Sequence, residues 1–202
     1  MTTKSIHKSP AVADCRPKGG NGSRSTRKPN TYLKVLQSTL KDQWRYSRPK
    51  WFITLQWTPA AVNYETASGH SRLFRNKLLT TIYNCRLKDL PGPQDRCRLI
   101  WFHERAEDPS GRLIYHSHLH LTPLPTPYST QRQLELLIQH KVAPGFRCLK
   151  NLFRKRNPAV VVLPWTQEHH ANYNLKDYYI YKHHEDPDLV LDYGISDLFF
   201  TK

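Results

Sequence analysis

Three histidines occupy alternate positions in GRLIYHSHLHLTPL, at His116, His118 and His120, and a carboxylate, Glu104, precedes them in IWFHERA. On a β-strand alternate side chains share a face, so the three imidazoles project together and Leu113, Tyr115, Leu119 and Leu121 project the other way. Two neutral imidazoles and one carboxylate form a ligand set suited to a divalent ion such as Mn²⁺ or Mg²⁺ with positions left open. A second group that could do chemistry stands near the C-terminus, in KDYYIYKHH. At helical spacing Tyr179 and Lys182 lie at i and i+3, and Tyr178 pairs with Lys182 at i+4. A phenol next to an ammonium, attacking a metal-polarised phosphate, is favoured as phenolate.

These groups need elements to hold them. The segments RLIWFHERA and RLIYHSHLHL flank DPSG and read as an antiparallel hairpin. In DPSGR, proline fits the second position of a type I turn and Gly111 the left-handed residue that follows, which closes Asp108 against Arg112. Counting outward, Glu104 faces His116 and Phe102 faces His118, which assigns His116, His118 and Glu104 as metal ligands with His120 as a peripheral or outer ligand. A two-residue register would place His103 opposite His116 instead. KWFITLQWTP is a strand ended by Pro59, and HSRLFRNKLLTTIYNCRL is a helix whose face is Leu73, Phe74, Leu78, Ile82 and Tyr83. STQRQLELLIQH is a helix capped by Ser129 or Thr130, AVVVLPW a strand, and NYNLKDYYIYKHH a helix capped near Asn172 or Asn174. The order β-α-β-β-α-β-α predicts an α+β fold, an antiparallel sheet with helices on one face and the histidine face left open. A short amphipathic helix in TYLKVLQSTLKDQW precedes it.

The 202 residues suffice for one domain, with 31 Lys and Arg against 16 Asp and Glu, net charge +15 and a sequence pI near 9.8. Such a balance favours a polyanionic partner, because phosphate contacts release condensed counterions. Residues 1–30 carry seven Lys or Arg and one acid, Asp14, around KGGNGSRSTRKPN, the composition of a disordered basic arm. Residues Arg147, Lys150, Arg154, Lys155 and Arg156 form a basic patch for a nucleic-acid backbone. Cys15, Cys85, Cys97 and Cys148 show no CxxC spacing, which points to free thiols in a reducing compartment. No apolar run approaches the ~18 residues of a membrane span, so a membrane partner is not expected.

Taken together, these motifs resemble the HUH endonuclease superfamily, in particular rolling-circle replication initiator (Rep) proteins with a single catalytic tyrosine. FITLQW, Phe52 to Trp57, resembles the family's first motif, HSHLH, His116 to His120, its metal-binding motif, and YIYK, Tyr179 to Lys182, its tyrosine motif. They occur in the family's order within residues 48–185, inside a nicking domain expected over 31–202. The resemblance implies metal-assisted nicking and joining of single-stranded or hairpin origin DNA through a 5′-phosphotyrosine, with Tyr179 and Lys182 catalytic and Thr54 and Gln56 on the DNA. One departure stands: the residue between the family's two histidines is usually bulky and apolar, which fits Leu119 better than Ser117, so the pair His118 and His120 competes with His116 and His118. The absence of a GxxxxGK(S/T) motif implies a host helicase as well as a host polymerase. Localisation would be cytoplasmic, or nuclear in a eukaryotic host. A single-strand transposase of the same superfamily, a non-catalytic single-stranded nucleic-acid-binding module and a zinc-dependent hydrolase using water are the alternatives.

Overall fold

The computed structural model describes residues 31–61, 63–107, 110–149, 158–166, 170 and 189–198. The chain forms an α+β fold around an antiparallel sheet. In chain order the elements are α1 (Thr31–Ser47), β1 (Trp51–Ala61), α2 (Tyr64–Tyr83), β2 (Leu99–Glu107), β3 (Leu113–Leu121), α3 (Gln131–Leu137), β4 (Val160–Pro164) and β5 (Leu189–Leu191). The strands lie in the order β4-β1-β3-β2-β5. The expected succession of strand and helix from β1 to β4 is therefore present. The helix expected after β4 falls outside the described residues, as do the basic arm, Lys150, Arg154, Lys155 and Arg156.

Local chemistry sets the boundaries. Asn63 caps α2, its Oδ1 accepting from the Thr66 N–H at 2.8 Å, and Asn84 ends it in the left-handed region at φ 48°. The helix thus starts six residues earlier than the apolar period alone indicates, on the polar turn YETASG. Thr130, rather than Ser129, caps α3 in a reciprocal capping box with Gln133. In β1 the pairing with β3 shifts between Gln56 and Ala61, around Pro59, which has no N–H to donate. The β2–β3 hairpin adopts the register counted from its turn, with Glu104 opposite His116, Phe102 opposite His118 and Glu107 opposite Leu113, and Gly111 takes φ 78°.

The main core lies between one sheet face and the helices α2 and α3. Trp101, Leu119, Leu55 and Ile53 from the sheet meet Phe74, Leu78, Leu134 and Leu137. Each large apolar side chain fully buried here contributes about 1.5–3 kcal/mol. Leu73, expected on the buried face of α2, is instead 59% exposed.

The opposite face corrects one expectation. It is not left open along its length, because α1 lays Leu40 and Trp44 over Ile100, Phe102 and Leu191, with Trp165 and Leu198 alongside. These make a second, smaller core, and His120 lies within it at 1% exposure. An aromatic-rich amphipathic helix needs an apolar surface, and this end of the sheet supplies one.

β5 carries no signal in the sequence beyond LVL. It is held by polar clamps as much as by its three residues. Asp197 accepts from both terminal nitrogens of Arg96 at 2.8 and 2.7 Å, from Arg75 at 3.0 Å and from the Leu99 N–H at 3.1 Å. Buried carboxylates of this kind require such full satisfaction. The described cysteines Cys85, Cys97 and Cys148 are free thiols.

Candidate functional site

The pairing of β1 with β3 places Phe52 opposite His120, Thr54 opposite His118 and Gln56 opposite His116. Together with Ile100, Phe102 and Glu104 of β2, these residues form one face, with β3 and its histidines in the middle of the sheet. The face divides along its length. At the His120 end it is apolar and covered; toward His116 it becomes polar and less buried.

His118 sits at the division and is bonded from both sides. Its Nδ1 meets Thr54 Oγ1 at 3.1 Å, and its Nε2 meets Glu104 Oε2 at 2.9 Å. Glu104 stands directly across from His116, yet its carboxylate reaches the diagonal neighbour, a contact the pleat allows to a long side chain. Because a carboxylate oxygen accepts, Nε2 carries the proton in this arrangement and Thr54 can donate to Nδ1. Phe52 stacks against the His118 ring, with centroids 5.3 Å apart and planes at 17°. The imidazole is held in position and plane; an ion at Nε2 would take the place of that proton, and Nδ1 would then donate to Thr54 Oγ1.

His116 is half-buried. Burial holds its pKa below the ordinary histidine value, helped by the charge of His118 and opposed by Glu104. It is therefore neutral at neutral pH, the state in which imidazole ligates. His120 is another matter. Burial, with smaller contributions from His118 and His170, pushes its pKa well below the usual value. Trp44 stacks on it at 5.7 Å, Phe102 lies at 5.1 Å, and the Trp165 indole donates to Nδ1 at 3.2 Å. Ile100 is opposite it, so no carboxylate pairs with it across β2.

The donors present are of the kinds that ligate a divalent ion, and Glu104 and His118 are in hydrogen-bond contact at 2.9 Å. Among the described residues no three His, Cys, Asp or Glu side chains converge closely enough to complete a metal site. Glu104 and His118 converge, while His116 is beside them on the same face.

Tyr178, Tyr179, Tyr181 and Lys182 lie outside the described residues. The two described residues that border this stretch both adjoin the histidine face. His170 stacks on Phe52 at 4.3 Å, its Nδ1 accepting from the Thr166 N–H at 2.8 Å. On the other side Leu189 pairs with Glu104 along the sheet.

Sequence reasoning missed the histidine on the other face. His103 stands opposite Ser117, fully buried, with Nδ1 at 2.9 Å from Ser117 Oγ and Nε2 at 3.0 Å from Asp192 Oδ2. Ser117 Oγ also receives the Trp57 indole N–H at 2.9 Å and the Ser71 hydroxyl at 3.0 Å. With both lone pairs occupied, Ser117 donates to His103 Nδ1, and His103 donates from Nε2 to Asp192. The Asp192–His103–Ser117 chain has the composition of a hydrolytic triad, but Ser117 and His103 are sealed beneath α2 at 0% exposure. It is an internal polar network. Ser117 stands where a bulky residue was expected because a hydroxyl is needed as the hub.

Arg147, expected in a basic patch, lines a cavity with His70, Leu73 and Lys77 on the outer side of α2, in the layer opposite the histidine face. No helix among the described residues is long and apolar enough to cross a membrane. No protein-family model, curated protein or solved structure matches this chain.

Proposed function

We propose that this protein is a site-specific nicking and joining enzyme for single-stranded DNA of the HUH type, using Tyr179 as nucleophile. The observation that carries the reading is the Thr54–His118–Glu104 chain on the sheet, on the same face as His116. Glu104, His118 and His116 would hold a Mn²⁺ or Mg²⁺ ion, which supplies Lewis-acid polarisation of the scissile phosphate. Thr54 at Nδ1 would orient His118 so that Nε2 faces the ion beside Glu104. Tyr179 Oη attacks phosphorus after losing its proton, and Lys182 stabilises the phenolate. The P–O3′ bond breaks, a proton goes to the departing oxygen, and the products are a 5′-phosphotyrosine and a free 3′-OH. The phosphodiester energy is conserved in the adduct, so the same groups rejoin ends in reverse.

In this reading the partners are single-stranded or hairpin origin DNA and the helicase and polymerase of the host, in the cytoplasm or, in a eukaryote, the nucleus. Gln56, beside Thr54 on the same face, contacts the strand. A single-strand transposase would use the same chemical step on a different DNA.

The test is incubation with a pool of single-stranded DNA and Mn²⁺, followed by a denaturing gel. A covalent adduct that maps to Tyr179 and disappears in Tyr179→Phe is expected. A free 5′-phosphate with no adduct would point to water as nucleophile and remove the proposal. An adduct on Tyr178, about 100° round a helix from Tyr179, would move the assignment by one residue.

A further inference from the structure

The outer side of α2 carries a basic trough that the histidine face does not use. Two cavities of about 640 and 680 Å³ adjoin there, and both are lined by Lys77 and Thr80. Lys141 lines one and Arg147 the other, and no Asp or Glu lines either. Lys77, Lys141 and Arg147 are all exposed. Among the described residues none of the three has a carboxylate partner within an ion-pair distance, whereas Arg86, also at the rim, is paired with Asp89 at 2.7 Å. Uncompensated cations around a concave surface favour an anion that spans several of them.

The aromatics beside the trough narrow the anion further. Phe146 and Tyr128 are half-buried and packed against the main core, and Phe146 also meets Phe74, with ring centroids 6.0 Å apart. Both also line the trough, so packing against the core leaves only part of each ring for an unstacked base. Three cations unpaired among the described residues, with so little stacking surface beside them, suit a partner whose phosphates face outward and whose bases are hidden, which is a duplex backbone.

We infer that the trough between α2 and the 126–128 and 141–147 segments binds the phosphodiester backbone of duplex DNA, on the layer opposite the histidine face. The choice of DNA over RNA rests on the nicking reading; the site itself does not. A protein that processes a single strand on one face would thereby hold adjoining duplex on the other.

The experiment compares the full chain with the triple variant Lys77→Glu, Lys141→Glu, Arg147→Glu, and with the charge-neutral Gln triple. Affinity for a short DNA duplex and for a single-stranded oligonucleotide is measured by fluorescence anisotropy across a salt series. Duplex affinity is expected to fall at least about tenfold at low salt, and the log–log salt slope to shrink by about 0.9 for each phosphate no longer neutralised. Single-strand affinity should stay within about twofold of wild type, and any adduct formation on the oligonucleotide should be unchanged. Wild-type affinity and slope in both triples would overturn the inference, as would an equal loss on single strands. A larger loss on an RNA duplex of the same sequence would overturn the assignment to DNA. Failure of nicking in the wild type would leave the duplex measurement fully readable.

Discussion

His103 and His118 lie on neighbouring strands of one sheet, both bonded to a hydroxyl and a carboxylate, and they do opposite things. His103 faces the main core, where Ser117 and Asp192 occupy its two ring nitrogens and Trp57 and Ser71 donate to Ser117 in turn. His118 faces the other side, where Thr54 and Glu104 hold it at the boundary between a covered apolar end and a polar, less buried end. An imidazole between a hydroxyl and a carboxylate is therefore not by itself a site. Both rings are buried, His118 at 3% exposure; what separates the two is the carboxylate beside each, which is partly exposed in Glu104 and sealed in Asp192.

The sharpest way to break this comparison is to remove each ring in turn. His118→Ala should reduce nicking by about 10³-fold or more, equivalent to about 4 kcal/mol of transition-state stabilisation, with a smaller fall in thermal midpoint than His103→Ala because Glu104 can turn to solvent. His103→Ala should do the reverse, lowering stability by about 3–5 kcal/mol because Asp192 and Ser117 are left buried without their partner. Thermal denaturation and single-turnover adduct formation on both variants would test the pair; a stable His103→Ala protein with dead chemistry would overturn the division of roles.

Thr54→Val probes the weaker half of the His118 arrangement. It keeps the shape of the side chain and removes the hydroxyl at Nδ1, so metal affinity or adduct rate should drop by about 10–100-fold. A variant indistinguishable from wild type in a metal titration would show that the Thr54 hydroxyl does not orient the ring.

The smallest effect concerns Asp192. Burial raises its pKa, but the hydrogen bonds from His103 and Ser68, the His103 charge and the Gly194 N–H outweigh that and hold it below the ordinary aspartate value. A carboxyl with a depressed folded pKa stabilises the fold above its unfolded pKa and loses that contribution as pH falls through the folded value. Asp192→Asn should therefore lower stability at neutral pH and flatten the decline below about pH 4. Urea midpoints from about pH 2 to about pH 7 would show it, and an unaltered acid limb would remove Asp192 as a source of pH dependence.

Much of the candidate site is local in origin, which is why it could be read from the chain. The turn DPSGR admits few backbone conformations, so the pairing of Glu104 with His116 follows from counting, and the alternation of β3 follows from the pleat. The diagonal reach of Glu104 to His118 does not, since it depends on a side-chain rotamer. Likewise the spacing of Leu36 and Leu40 marks α1 as amphipathic, but nothing local says that Trp44 of that helix covers His120. The split of the three histidines into a half-buried, a bonded and a core residue is a tertiary result.

What the sequence by itself determined, then, is the α+β succession, the cap of α3 at Ser129 or Thr130, the hairpin register and the shared face of Glu104 and the histidines. Each depends on neighbours a few residues apart, through backbone sterics and short-range hydrogen bonds. Only the tertiary structure decided that β5 extends the sheet beside Glu104, that Asp192 and Asp197 are buried clamps, that Ser117 is the hub of a sealed network, and that Arg147 lies on the outer side of α2. Those interactions join residues 89 to 122 positions apart in the cases of His103 with Asp192 and Arg75 with Asp197. A charged or polar side chain carries no mark of which distant partner will desolvate it, because that partner is chosen by how the layers pack.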